Sequence, residues 1–246
     1  MFINRLLQTV VLTAAAATAA AAQDSTANQR TLDRSLKEFA RRSSFSIAGI
    51  QTRPQGALGR NIGFGYGVSG TYMFRLDSQG LWSIRADLAG VQYGNESKRS
   101  AFSETVGGRV QVTTRTTNYI VPVSIGPQLA WPSGPIRPYI NAGVGAQGFV
   151  TESSVGGTDN YTVLASTTNQ SDVTLMWVAG GGVYVPIVTG TTRVQLDLGM
   201  QYISGGRARY LAPGSIVDLP GGNLQISALE SATNLVMLRL GARIGL

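Results

Sequence analysis

Cysteine and histidine are absent from this chain, and charge is scarce at 13% of residues. Without cysteine there is no disulfide, no thiol nucleophile and no thiolate metal site. Without histidine the usual general base and the commonest metal ligand are gone, and with them every Ser-His or Cys-His constellation. Past residue 22 no apolar run approaches the ~20 residues that a spanning helix needs. A mean hydropathy of +0.07 is also too low for a bundle of membrane helices. The net charge of +7 is spread along 246 residues, with no basic tract interleaved with aromatics, which argues against a nucleic-acid interface. The glycine runs at Gly107-Gly108 and Gly180-Gly181-Gly182 have no following lysine and no strand–helix unit around them, so they are not phosphate loops. Acidic residues such as Glu96, Glu104, Glu152, Asp159, Asp218 and Glu230 are scattered among Ser, Thr and Gly rather than paired for acid–base work. No enzyme activity, cofactor or metal site is expected.

What is present in quantity is glycine, at 31 residues. It follows no three-residue period and sits beside many Val, Ile, Tyr and Thr, the mark of β structure with closely passing backbones. Residues 1–22 have a short basic start ending at Arg5, an apolar stretch and an alanine-rich run. Ala20-Ala21-Ala22 fits the small-residue cleavage rule, so 1–22 reads as a signal peptide and the protein as exported. Residues 23–42 are polar, with Leu32, Leu36 and Phe39 at helical spacing, and read as an N-terminal periplasmic segment, either a short helix or a flexible lead-in.

From Ser43 the period changes to two. The last stretch, 234–246, sets Val236, Leu238, Leu240, Ala242, Ile244 and Leu246 on one face and Leu235, Met237, Arg239, Gly241, Arg243 and Gly245 on the other. The same opposition recurs at 62–76, 81–93, 117–131, 136–149, 173–185 and 193–202, and a short strand begins at Phe45 and Ile47. That makes eight strands. Charged residues fall on the face that carries glycine: Arg75, Arg85, Asp87, Arg137, Arg193, Asp197, Arg239 and Arg243, with Asn141, Gln128, Gln147, Gln195 and Gln201. A soluble lipocalin-like barrel would reverse this order. A membrane barrel would turn the aliphatic row to lipid and the charges to the lumen.

The connections alternate too. Short links at 78–80, 132–135 and near Thr189-Gly190 have the lengths needed to keep or flip the lipid-facing parity between neighbouring strands. Long links are expected at 52–61, 94–115, 150–172 and 203–232. Trp82, Trp131, Tyr139 and Phe74 fall near the short turns, and Tyr66, Tyr119, Phe149 and Tyr202 near the long loops, as two aromatic girdles.

Residues 44–246, above all NYIVPVSIGPQLAW and PYINAGVGAQGFV, resemble the eight-stranded outer-membrane barrels grouped around OmpA, OmpX and the opacity proteins. The resemblance is to the barrel alone, without the peptidoglycan-binding domain of OmpA. It implies an all-β, eight-stranded antiparallel up-and-down transmembrane barrel over 43–246, with short periplasmic turns and four longer extracellular loops. It also implies an outer-membrane location and delivery by the barrel-assembly machinery. Members of that family usually end in an aromatic residue; here the last residue is Leu246.

A barrel of eight strands has room for side chains and little else. The inward arginines are therefore expected to form a structural network around Asp87 and Asp197, with Arg239 near Asp197. Basic loop residues Lys98, Arg99, Arg109, Arg207 and Arg209 are candidates for contact with lipopolysaccharide phosphates or a partner. The expected function is structural or surface-interacting, in a monomer that contacts outer-membrane lipid and lipopolysaccharide. The alternatives are a small anion-preferring channel and a loop-mediated adhesin or receptor.

Overall fold

The computed structural model describes residues 42–101, 111–156, 163–188, 193–218 and 224–245. The leader, all of the lead-in except Arg42, Arg109, the Thr189-Gly190 turn and Leu246 lie outside them. Eight antiparallel strands close into a barrel. In chain order they are β1 (Ser43–Pro54), β2 (Gly65–Arg75), β3 (Trp82–Ala101), β4 (Gln111–Ala130), β5 (Arg137–Gly156), β6 (Val163–Val188) and β7 (Arg193–Gly205). Four short strands follow, β8 (Arg207–Tyr210), β9 (Ile216–Asp218), β10 (Leu224–Ile226) and β11 (Leu229–Ala232), before the closing β12 (Leu235–Gly245). β12 pairs with β7 on one side and β1 on the other, setting Arg239 opposite Gly199 and Ile50.

Burial along the strands inverts the soluble order. Leu175 is 81% exposed and Val68 65%, whereas Thr71, Gln147 and Asp197 are 0% exposed. Such a surface is stable only where hydrocarbon replaces water, and a closed barrel satisfies every backbone group there. The protein is an outer-membrane β-barrel.

Two kinds of glycine permit the closure. Gly80 has φ of +76° and ends the first short turn, a conformation that a Cβ disfavours. The same turn is tied by the Asp77 carboxylate, which accepts the backbone N–H groups of Leu81 at 3.0 Å and Trp82 at 2.7 Å. Gly126 and Gly145 serve curvature instead. A Cβ on either would run into a backbone carbonyl of the neighbouring strand, Ala142 O or Val123 O. The concave side of so small a barrel leaves no room for it.

The strands run further outward than the aliphatic rows indicate. β3 and β4 stay paired to Ala101 and Gln111, and β5 and β6 to Gly156 and Val163. β2 leaves β3 at Gln92 and β7 leaves β6 at Met176. Beyond Gln92, β3 continues for nine residues to Ala101, roughly 30 Å at ~3.3 Å per residue. β3–β6 thus rise as a four-stranded sheet, and in the long links expected at 94–115 and 150–172 the described residues are strand. These segments are rich in Ser and Thr and wet on both faces, so they carry no alternation to read.

The remaining long links also hold structure. Residues 52–61 include a helix, α1 (Gly56–Asn61). Beyond the end of β7, the described residues of 203–232 include two small ladders, β8 with β11 and β9 with β10.

Candidate functional site: the lumen and the outer rim

The lumen is filled in layers. At its centre Asp87 accepts Nε and Nη2 of Arg85 at 2.7 and 2.9 Å, Nη1 of Arg239 at 3.0 Å and the hydroxyl of Thr71 at 2.6 Å. Thr71 in turn accepts Arg239 Nη2 at 2.6 Å. Asp197 accepts the hydroxyls of Tyr139 at 2.8 Å and Ser46 at 3.2 Å. Its Oδ2 lies 3.6 Å from Arg239 Nη2, so Arg239 bridges the two aspartates. Asp197 faces Gly241 across the ladder rather than Arg239, and the guanidinium reaches it diagonally. Arg85 spends its remaining reach on Gln128 Oε1 at 2.8 Å. Charges this deep are tolerable only when paired and hydrogen-bonded, and each guanidinium here is.

Beneath this layer lies an aromatic floor. Tyr139 and Tyr184 stack with centroids 4.4 Å apart, packed with Met73 and Ala130. The Arg243 guanidinium sits 4.5 Å from the Tyr184 ring centroid, an attraction between cation and π face, and also donates to Ser44. Tyr139 is therefore a lumen residue and not part of a lipid-facing girdle: odd positions of β5 point inward, and its hydroxyl needs Asp197.

Above the ionic layer the lumen turns apolar. Val91, Tyr93, Ile120, Phe149, Met176, Val178, Ile203, Leu235 and Met237 form one buried cluster with Leu58 and Ile62 from the first long link and Tyr210 from the fourth. Phe149 is 1% exposed and tilts against Tyr210 at 5.6 Å, so it too leaves the expected girdle, and Ile62 leaves the lipid face. Asn61 Nδ2 donates to Tyr210 OH at 2.8 Å, and Tyr93 OH to the Leu211 carbonyl at 2.9 Å. The polar lumen expected from the sequence is thus interrupted by an apolar cluster, beside which Asn118 and Thr151 remain buried and hydrogen-bonded to each other. Nothing in the periodicity marked the plug, because its inward apolar residues alternate with outward ones and read as continuous runs.

The predicted lumen residues separate into two groups. Arg85, Asp87, Asp197, Arg239 and the buried Asn141 lie at mid-barrel, with Arg243 just below. Arg75 and Arg137 are half-buried and Arg193 exposed at the short-turn end. Arg137 donates to the Trp131 carbonyl at 2.8 Å, and the bonds around the two aspartates come from other residues. The strand ends bring these three arginines to the mouth, beyond reach of Asp87 and Asp197.

At the outer rim Arg207 and Arg209 both pair with Glu230, at 3.1 and 3.3 Å across β8–β11. A bulge at Gln92/Gly94 shifts the parity of β3. Beyond it Asn95, Ser97 and Arg99 share the outward face of Arg115 and Thr117, while Lys98 takes the other face. Arg115 lies opposite Ser97, and so diagonal to Arg99. Arg53, which the sequence reading passed over, is exposed at the top of β1 with its guanidinium 5.8 Å from the Phe64 ring centroid.

No protein-family description and no curated protein sequence matches the chain. Among solved structures it is similar to Neisserial surface protein A at 13% identity, over 83% of this chain and 97% of that one, with a TM-score of 0.39. It is similar to Ail, the attachment invasion locus protein of Yersinia pestis, at 16% identity over 82% and 96%, with a TM-score of 0.40. The N-terminal barrel domain of Pseudomonas aeruginosa OprF matches at 13% identity over 81% and 96%, with a TM-score of 0.32.

Proposed function

We propose that this barrel works through its outer surface and not through its lumen, as a structural, surface-presenting protein of the outer membrane. The observation that carries the reading is the filled lumen: an apolar plug above, an ionic layer at the centre and a tyrosine floor below. A path for ions would have to cross the plug, where the buried Phe149, Ile120, Met176 and Tyr210 side chains occupy the lumen. This disfavours the anion-channel alternative and leaves a structural or adhesive role.

On the outside, Arg99 and Arg115 offer two forked guanidinium groups on one outward face of the protruding sheet, a pairing that suits the phosphates of lipopolysaccharide. Arg53 adds a third at the edge of β1. Lys98, on the other face, is a weaker candidate, Arg109 lies outside the described residues, and Arg207 and Arg209 are engaged by Glu230. The four-stranded sheet beyond the membrane supports an adhesin as the second reading, since it carries polar side chains well past the lipid surface. Residues 1–22 act as the export signal and 23–42 as a periplasmic lead-in; the barrel-assembly machinery inserts residues 43–246 as a monomer, without a catalytic or cofactor role.

Two measurements test this. Protein refolded into a planar bilayer is expected to give no single-channel steps, and steady conductance would overturn the sealed-lumen reading. The double substitution Arg99→Gln/Arg115→Gln is expected to lower lipopolysaccharide retention several-fold while the folded form keeps its gel mobility. Unchanged retention would remove the rim from the account.

A further inference from the structure

The apolar plug contains one layer that is not apolar. Phe149, Met176, Ile203 and Leu235 belong to the plug. Two positions along the chain from each, and so on the same side of extended backbone, stand Gln147, Thr174, Gly205 and Thr233. Gln147 lies directly opposite Thr174 in the β5–β6 ladder. Gly205 is where β7 parts from β6, and Thr233 lies between β11 and β12. A seal made only of hydrocarbon would not need this layer.

Gln147 is fully buried, and among the described residues it is the one side chain whose Oε1 and Nε2 both lack a hydrogen-bond partner within the protein. A buried amide in that condition is costly, and folded proteins almost always satisfy it. The oxygens around it converge. A Cβ on Gly205 would run into Thr233 Oγ1 and lie 2.9 Å from both Gln147 Oε1 and the Thr233 carbonyl oxygen. Having no side chain, Gly205 lets these three oxygens gather round one point. The Thr233 hydroxyl gives its hydrogen to the Gly206 carbonyl at 2.9 Å, so towards Gln147 it can only accept. Three acceptors facing one another need a donor with two hydrogens between them.

We infer that the plug binds a resident water beside Gly205, which donates one hydrogen to Gln147 Oε1 and the other to Thr233. It ties the β5 wall to the link that enters β12, through two bonds of about 2.8 Å where no direct bond is made. The four residues of the layer carry no charge, so water suits it and a metal cation does not. Thr174 is half-buried and Gly206 exposed, and a Cβ on Gly206 would lie 2.6 Å from Thr174 Oγ1; water enters past this pair from the outer side. β5 and β7 run outward, so Phe149 lies on the outer side of the layer and Ile203 on the inner side. The water is therefore enclosed singly, within the seal, and is not part of a file through the barrel.

The test is rotating-frame water cross-relaxation by NMR on the full protein in phosphatidylcholine nanodiscs, where the sign separates dipolar contact from proton exchange. Dipolar cross-peaks to water are expected at the Gly205 α-protons and at the Gln147 side-chain amide. Gln147→Met should abolish the Gly205 peak. Absence of dipolar peaks at both groups in the parent overturns the site, because the amide has then turned over and bonded Thr233 directly. A Gly205 peak that survives undiminished in Gln147→Met also overturns it, because the signal is then relayed by the Thr233 hydroxyl. Heat-modifiable gel mobility shows whether the variant has folded. If Gln147→Met does not fold, Thr233→Val decides in its place: the water peak at the Gln147 amide should persist once the hydroxyl is gone, and its loss would refute the bound water.

Discussion

Replacing Asp87 by Asn tests the central claim that the lumen is a paired network and not a hydrated pore. The exchange keeps shape and removes one charge. Asp87 holds two buried guanidinium groups, Arg85 and Arg239, through three bonds of 2.7, 2.9 and 3.0 Å, and a fourth bond comes from Thr71. The side chains of Arg85 and Arg239 are 2% and 1% exposed and that of Asp87 14%, so solvent offers little compensation. Adding four charge-assisted bonds at 1.5–3 kcal/mol each would overshoot, because an asparagine oxygen still accepts some of them. Breaking a buried ion pair by removing one partner costs about 3–5 kcal/mol. The expected loss is therefore about 4 kcal/mol, close to a thousandfold in the unfolding equilibrium. Denaturant unfolding in vesicles, followed by the fluorescence of Trp82, Trp131 and Trp177, measures it. The double substitution Asp87→Asn/Arg239→Met removes the surplus charge and should recover about 1–2 kcal/mol of that loss as a coupling energy. A loss below about 1 kcal/mol for Asp87→Asn, with no coupling to Arg239, would mean that water already screens these charges, and the sealed lumen would have to be abandoned.

Gly145→Ala should cost at least about 2 kcal/mol or abolish refolding, since the new methyl group meets the Val123 carbonyl, and overpacking against backbone has nowhere to relax; yield of the heat-modifiable folded form checks it. Gly148→Ala, where a Cβ meets only Val121 O at 3.8 Å, should refold normally and serves as the control. The Asp77 turn should respond to acid. Slight burial pushes its carboxyl up, but the N–H groups of Leu81 and Trp82 outweigh this and hold it below its ordinary value of 3.8. A lowered folded-state value stabilises above the unfolded one and is lost as pH falls through the folded one. Hydrogen exchange at Leu81 and Trp82 should therefore accelerate below about pH 3.8 in the parent, but show no such step in Asp77→Asn; identical profiles would refute the role.

The strand faces were legible from sequence because a lipid-facing surface leaves an aliphatic residue at nearly every second position. Leu238, Leu240 and Ile244 of β12 are exposed and Arg239 and Arg243 buried, and period two alone separates them. Partner choice inside the lumen was less accessible. That Arg239 reaches both Asp87 and Asp197 while Arg75, Arg137 and Arg193 stop at the mouth depends on the stagger between strands, which a single strand does not encode. The outer sheet and the plug escaped for opposite reasons. Between Gln111 and Asn118 neither face is apolar, and around Val91 and Ile120 both are, so alternation vanishes in each.

The plug and the tall sheet also explain one another physically. β3–β6 continue past the level where β2 and β7 leave them, so the outer barrel mouth is unevenly walled. A polar mouth there would admit water to the ionic layer, where each buried charge relies on low local dielectric for its pairing strength. Closing it requires apolar groups from outside the strands. Leu58 lies within α1, Ile62 is its C-cap residue, and Tyr210 ends β8. Asn61 ties the first of these links to Tyr210. Residues of two of the long links are thus consumed in sealing the barrel. Val91, Tyr93, Ile120, Phe149, Met176 and Val178 at the base of the β3–β6 sheet join the plug, while the described part of the sheet above them, with Arg99 and Arg115 on its outward face, stays outside it.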